Sequence, residues 1–396
     1  MKTKFYNVGH GEAITIEVAG KQKESCLIIR DFGRSKFTKD TKYINTLDEL
    51  MKNDFNPDLW IKQYGRVDAM LSHAHEDHVN GFFQLKTTCN KNIFENGYIP
   101  WLRMNDLNDL GGLLIKCSLL VYRYHGNKSI LGIHAKHWLL AVPIMAILSK
   151  KLYCVSSGYE LNQYDTNCKI LWPPIDEQYY ETRLKKYLQK YIEMNDINNE
   201  VLNQYSEDIR RFLSKLYSKE PNESIEVASN LNFETPQQIE TILERILEDK
   251  YFAHIKQPKN LYYNGYKPSI DNHSIMFEIT DNNESSLFLS DADDKSIKIM
   301  LNNHKIKNKK YCFIKSSHHG NRGAKSLEKA GVTSEYIVNC CGAAHSNWNG
   351  PDIDYFNISK KIICTGWNDK KNLKWKHKCK YHIINSKDYT ISSCKD

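Results

Sequence analysis

At the start of the chain, apolar and polar positions follow the two-residue period of strands. Lys4–Val8 reads as a short strand and Gly9-His10-Gly11 as a turn. Ala13–Val18 alternates apolar with polar residues, as a half-buried strand does. Ser25–Arg30 is a further strand, closed by the turn signal Asp31-Phe32-Gly33. Residues 40–65 carry a polar helical pattern. Val67–Ser72 is a short buried strand that runs directly into a histidine-rich segment. Tyr98–Leu102 reads as a strand whose Pro100 marks an edge or an end. Residues 105–150 mix helix and loop. Tyr153–Ser156 and Lys169–Trp172 are strands, the second ended by Pro173-Pro174.

Over 175–257 the period becomes helical. Apolar residues recur as Tyr187, Tyr191 and Met194, then Ile209, Leu213 and Leu216, then Ile239, Ile242, Leu243, Ile246 and Leu247. Pro221 and Pro236 fall where helices break or begin. From 270 onward strands return at Ser274–Ile279, Ser286–Leu289, Tyr311–Lys315, Tyr336–Asn339 and Lys361–Cys364. A strand-rich, helical, strand-rich order with polar residues gathered at strand ends predicts a layered α/β domain whose site lies on the rim of its sheets. That domain is expected from residues 1–174 and 266–396, with 175–265 as a helical insertion.

Composition narrows the class. The chain has 396 residues, 41% hydrophobic and 26% charged, which is ordinary for a folded globular protein. The net charge of +8 leans toward an anionic partner, or reflects a lysine-rich solvated surface. The 11 cysteines are odd in number and include no Cys-x-x-Cys pair, so they read as reduced thiols of a cytoplasmic protein. The N-terminal segment lacks the apolar run of a signal peptide. The most apolar stretches, Leu110–Val121 and Trp138–Leu148, fall short of the roughly 20 residues a membrane span needs, and are expected as buried elements.

The chemistry concentrates in Leu71-Ser-His-Ala-His-Glu-Asp-His-Val-Asn-Gly81. On an extended strand end His73 and His75 point the same way, because the side-chain period is two. A following turn would aim Asp77 and His78 at a second ion nearby. Imidazole with carboxylate suits zinc, iron or manganese, and two clustered ions form a clamp that serves hydrolysis.

This His-x-His-x-Asp-His segment after an apolar strand resembles the signature of the metallo-β-lactamase superfamily. Val8-Gly9-His10-Gly11-Glu12-Ala13 is similar to the Val-Gly-Gln-Gly-Asp-Ala opening of one branch, the hydrolase domain of bacterial DNA-uptake competence proteins. Asn272-His-Ser-Ile275, Leu289-Ser-Asp-Ala292, Ser317-His-His-Gly320 and Cys341–Pro351 resemble later segments of that branch, in order. The resemblance implies an αββα metallo-β-lactamase sandwich with the metals at one edge of two sheets. It implies two divalent ions, zinc first and manganese as the alternative. His73 and His75 would hold the first ion; Asp77, His78 and His318 the second; Asp291 would bridge them. Asp293 is an alternative bridge, and either of His318 and His319 could bind. The extra histidine that such proteins place on the first ion has no recognisable counterpart, although His125, His134, His137 and His273 are available. His10 and Glu12 would stand behind the ligands, or simply form a turn.

The expected reaction is metal-assisted hydrolysis, with Asp77 orienting or deprotonating water, and His319 or His345 protonating the leaving group. The branch, the basic charge and the Lys- and aromatic-rich run Lys370–His382 favour a phosphodiester in nucleic acid or nucleotides. That would make the chain a nuclease or phosphodiesterase, in defence or DNA processing. The run also suits an edge strand guarded by lysines. The fold alone does not choose the bond. A small ester, lactone or thioester is the alternative substrate class. A third reading is an interaction module with a supporting metal site. In these readings 175–265 serves as a lid, or as an arm for a protein partner or a homodimer.

Overall fold

The computed structural model describes residues 1–21, 24–35, 45–89, 92–227, 235–340, 352–359, 361–365, 382–383 and 388–392. His345 and nearly all of the Lys370–His382 run lie outside the described residues.

The chain builds one sheet with β1 (Lys2–Tyr6), β2 (Ala13–Ala19), β3 (Ser25–Phe32), β4 (Arg66–Met70), β5 (Phe94–Pro100) and β6 (Ser149–Val155). It crosses to a second sheet with β7 (Asn167–Trp172) and returns with the short β8 (Ser224–Glu226). It then completes the second sheet with β9 (Met276–Asp281), β10 (Glu284–Phe288), β11 (Lys310–Lys315), β12 (Thr333–Cys340), β13 (Lys361–Thr365) and β14 (His382–Ile383). Finally β15 (Asp388–Ile391) pairs with β1 at the edge of the first sheet. The strand orders are β15-β1-β2-β3-β4-β5-β6-β8 and β14-β13-β12-β11-β10-β9-β7. Both sheets are mixed. β3 through β6 are parallel, and so are β10 through β14, with antiparallel strands on their flanks.

The two-residue period explains how the sheets stack. In β3 Cys26 and Ile28 face one way and Leu27 and Ile29 the other, and all are buried. A strand covered on both faces reads as a continuous apolar run. The inward set joins Phe5, Ile14, Ile16, Met70 and Tyr98 of the first sheet to Ile170, Phe277, Phe288, Phe313 and Val338 of the second in one core. Phe5 meets Phe313 edge-on at 5.5 Å, so the sheets touch face to face. The outward set packs on helices. Pro100 closes β5, which is an interior strand between β4 and β6, so the proline marks an end rather than an edge.

Helices α1 (Leu47–Asn53), α2 (Pro57–Gln63), α3 (Glu76–Thr88), α4 (Leu110–His125) and α5 (Ile130–Leu148) follow the first strands. α5 is long and apolar enough to cross a membrane by length and composition, but most of it is buried in the protein, against α3, α4, β5 and β6. The expected insertion contains α6 (Gln178–Met194), α7 (Asn199–Leu213) and the helix Thr235–Glu248. Their apolar faces, including Leu184, Leu188, Leu202, Ile209, Ile239 and Leu243, close on α4 and α5 and share one apolar core with them. β8 meanwhile extends the first sheet beside β6. The helical layer therefore draws on 110–148 as well as on 178–248. Against the outer face of the second sheet lie the helices Asp294–Asn303 and Ala324–Lys329, through Ile297, Met300, Leu301 and Leu327.

Seven described cysteines are free. Cys312, in the core between the sheets, is disulfide-bonded, which departs from the expectation that every thiol is reduced.

Candidate metal centre

The histidine-rich segment begins where β4 ends. His75 is the N-cap of α3, in extended conformation, and Glu76 and Asp77 fill the first helical turn, where negative charge suits the helix dipole. His73 and His75 thus lie on the strand-like lead-in, while Asp77 and His78 ride on the helix start. All four are buried. The backbone of this start is pressed against the end of β3. A Cβ on Gly33 would come within 2.4 Å of the His78 nitrogen, and one on Gly81 within 2.5 Å of Phe32.

Other loops at the same edge of the sheets complete the cluster. Asp291 follows β10, and His318 and His319 follow β11. Both histidines have left-handed φ, 45° and 56°, ahead of Gly320 at 92°. Consecutive non-glycine residues in that region are strained, and such strain gathers at functional sites.

Four groups of candidate ligand atoms result among the described residues, each within 4.8 Å of one another; the two that share Asp291 are His73, His75, Asp271 and Asp291, and His78, Asp291 and His319, while Glu12, Asp31 and His78 form another, already met by Arg30 and Lys315. Asp77 and His319 also group with His10. In the first group His73 Nε2 lies 3.0 Å from His75 Nδ1 and 3.6 Å from Asp291 Oδ2, and His75 Nδ1 lies 3.2 Å from Asp271 Oδ1. In the second, His78 Nε2 stands 3.8 Å from Asp291 Oδ2 and 4.0 Å from Asp77 Oδ2. His319 Nε2 is 3.0 Å, and His10 Nε2 3.4 Å, from Asp77 Oδ2. Asp291 is the residue common to both groups. Asp293 is not there: it caps the helix Asp294–Asn303 by accepting from Ser296 N and is bound to Asn272.

The two adjacent histidines separate in role. His319 donates Nδ1–H to the Cys340 carbonyl at 2.7 Å, which fixes the ring with Nε2 turned to Asp77 Oδ2 at 3.0 Å. His318 bonds Asn321 through Nδ1 and turns Nε2 to Asp291 at 3.7 Å, on the side of the first group. The structure thus sets His319, expected as a proton donor, among the second group, and His318, expected there, between Asp291 and Asp271.

Asp271 was not legible as a site residue. It sits at the end of a short helix, Lys267–Asn272, where Lys267 Nζ contacts it at 2.9 Å and Arg322 Nη1 at 3.2 Å. Of the histidines available as an extra ligand, His134 comes nearest. Its ring stacks on His75 at 5.0 Å and its Nδ1 bonds Tyr262 Oη at 2.8 Å. His273 is held by the Trp101 carbonyl, and His137 packs on Phe83. A cavity of about 210 Å³ opens over the cluster, lined by His10, His75, Asp77, His134, Lys267 and Asp291 among others, and by no described residue of 175–265.

Behind the ligands is a buried charge network. Asp31 Oδ2 accepts from His78 Nδ1 at 3.1 Å and from Ser72 Oγ at 2.6 Å. Ser72 Oγ, having donated, accepts from His73 Nδ1 at 3.1 Å, which leaves His73 Nε2 free to face the cluster. Arg30 spans Glu12 at 2.6 Å and Asp31 at 3.3 Å, and Lys315 contacts Glu12. Such partners fix ring orientation and tautomer in metal sites. Glu12, expected either behind the ligands or in a plain turn, lies in this network. His10 instead reaches Asp77 directly.

Electrostatics agree with a cation. Burial would raise the Asp291 carboxyl, but His318, His78 and His73 hold it well below the carboxylate range. Burial lowers the His78 ring, yet Asp291, Asp77 and Asp31 outweigh it and push the pKa up to about 9. Burial lowers His73 to about 4 and His318 to about 3. Asp291 Oδ1, His75 Nε2 and His78 Nε2 are buried with no hydrogen-bond partner among the described residues. Orphaned buried atoms such as Asp291 Oδ1 and His78 Nε2 in a converging imidazole–carboxylate set fit a divalent ion, which would displace the His78 proton.

No family model and no curated protein matches the chain. Among solved structures it is similar to a protein of unknown function from Enterococcus faecalis V583, at 10% identity and a TM-score of 0.28, over 93% of this chain and 71% of that one. A likeness this weak carries no argument.

Proposed function

We propose that the protein is a binuclear metal-dependent hydrolase of the metallo-β-lactamase type, acting on phosphodiester bonds of nucleic acid or nucleotides. The observation that carries this reading is Asp291, shared by two groups of buried ligands at one edge of two stacked sheets. The face-to-face sheets with helices outside them support an αββα sandwich. The fold-type resemblance of the His73–His78 segment supports the same class.

His73, His75, Asp271 and Asp291 would hold one ion, and Asp77, His78, His319 and Asp291 the other. Two such ions, zinc or manganese, supply Lewis acidity and acidify water toward neutrality. The remaining work belongs to the chain. Asp31 fixes the His78 ring so that Nε2 faces inward, and Ser72 does the same for His73. Asp77 Oδ2, steadied by His319 and His10, is the carboxylate positioned to orient attacking water and take its proton. Lys267 and Arg322 confine Asp271, and Lys267, which lines the cavity, brings positive charge to it that would draw an anionic substrate.

The test is elemental analysis of protein purified without added metal, beside an Asp77→Ala, His78→Ala variant, with both assayed on bis-p-nitrophenyl phosphate and plasmid DNA. Roughly two metals and phosphodiester cleavage in the parent alone establish the reading. Metal without phosphodiester cleavage turns the reading to small esters, lactones or thioesters. No metal after reconstitution leaves a binding module.

A further inference from the structure

A second feature, on the outer face of the second sheet, has the character of a track for a polyanion. A groove of about 960 Å³ runs between the helices Asp294–Asn303 and Ala324–Lys329. Both helices start beside the metal centre: one three residues after Asp291, the other two residues after Arg322, whose guanidinium donates to the Asp291 carbonyl at 2.9 Å.

Five exposed lysines line it: Lys295 and Lys298 on one wall, Lys325 and Lys329 on the other, and Lys307 beyond the first helix. Spacings of three and four residues place each helical pair on one side of its helix. The groove also holds two acids, but each is turned to a neighbour. Asp294 Oδ1 accepts from Ser326 Oγ at 3.2 Å, and Glu328 Oε1 from Asn357 Nδ2 at 3.0 Å. Some lysines elsewhere on the surface meet carboxylates closely, as in Lys150–Glu95 at 2.6 Å, Lys151–Glu226 at 2.8 Å and Lys136–Glu240 at 2.7 Å. In the groove Lys325 has only Asp354 at 3.8 Å, and Lys298, Lys307 and Lys329 meet no carboxylate among the described residues. Lys295 instead stacks over the half-exposed ring of Tyr179, 3.4 Å from its centroid. Lysines left unneutralised along a groove, flanked by an exposed aromatic, are the chemistry that tracks a sugar–phosphate backbone and stacks its bases.

We infer that this groove binds single-stranded nucleic acid and leads it toward the metal centre. The groove's binding role stands on its own observations; delivery to the centre rests on the phosphodiester reading.

The test compares the parent with a Lys298→Glu, Lys307→Glu, Lys329→Glu variant. These side chains are exposed, and none belongs to the proposed catalytic machinery. Binding of a fluorescein-labelled oligothymidylate is measured by anisotropy in EDTA over a salt series, and bis-p-nitrophenyl phosphate hydrolysis is measured with metal present. The variant is expected to bind at least about tenfold more weakly, with a log–log salt slope shallower by about 2, as the loss of three single-strand phosphate contacts requires. Its small-substrate hydrolysis is expected to equal the parent's. Equal affinity and slope in the two proteins overturns the groove, and so does binding of duplex with no single-strand preference. If neither protein hydrolyses the small substrate while the binding difference persists, the hydrolase reading falls and the groove stands.

Discussion

Asp31 and His78 meet across 47 residues of sequence, with Asp31 Oδ2 accepting from His78 Nδ1 at 3.1 Å in a site closed to solvent. The contact ties the end of β3 to the first turn of α3. It sets which nitrogen of His78 faces Asp291, so a proposed metal ligand depends on a residue outside the proposed ligand set.

That dependence is measurable. Asp31→Asn keeps the shape of the side chain but removes the anion that orients His78. Affinity for zinc is expected to fall about 10–100-fold, read by competition with a chromophoric chelator, with the circular dichroism of the fold retained. An unchanged affinity would mean the ring is held by packing alone.

Asp271 separates the two groups. Asp271→Ala is expected to reduce metal content from about two ions to about one, because the second proposed site keeps His78, His319 and Asp291, with Asp77 Oδ2 4.0 Å from His78 Nε2. Elemental analysis after exhaustive dialysis checks it. Retention of both ions would make Asp271 an anchor for Lys267 and Arg322 rather than a ligand.

The close approach at Gly33 makes a further prediction. An added Cβ would meet the Asp77–His78 backbone inside van der Waals distance, at 2.4–2.5 Å. Gly33→Ala must therefore push α3 away from β3. A loss of about 1–3 kcal/mol, the usual range for overpacking, is expected in urea unfolding, together with weakened metal binding at the second group. Wild-type stability in this variant would show that α3 shifts freely.

The metal-free protein is expected to respond to pH through His78. Burial alone would lower its pKa, but Asp291, Asp77 and Asp31 raise it from 6.5 to about 9. A group with a raised folded value stabilises fully below its unfolded pKa and loses that contribution as pH rises through the folded one. The Tm in EDTA should therefore fall between pH 6.5 and about 9, and His78→Gln should flatten that fall. Zinc affinity should rise over the same interval, since the ion needs the deprotonated Nε2. A Tm independent of pH across this range in the parent would contradict the assignment. On the acid side, Asp77 and Asp291, both held well below the carboxylate range, add stability that is lost as pH drops through their folded values.

The chain's own pattern settled much about this protein. Strand-type patterns, alternating in β2 and β9 and more continuously apolar in β3 and β11, placed those strands within a few residues of their observed bounds, and helical spacing marked Ile209, Leu213, Ile239 and Leu243 as core. The His73–His78 cluster was legible for the same reason: its members are adjacent in sequence, so strand and helix geometry alone brings them together. Tertiary structure decided what no local period encodes. Asp271 and Asp31 each arrive on a separate element, and the carboxylate of a lone Asp looks the same in a turn as in a site. The placement of the His318 and His319 rings hung on a left-handed turn and on the Cys340 carbonyl beside it. The charge balance of the lysine groove depended on where Asp294 and Glu328 turned their oxygens. Local chemistry follows from sequence, whereas the convergence of distant polar groups is fixed only when the two sheets and their helices pack.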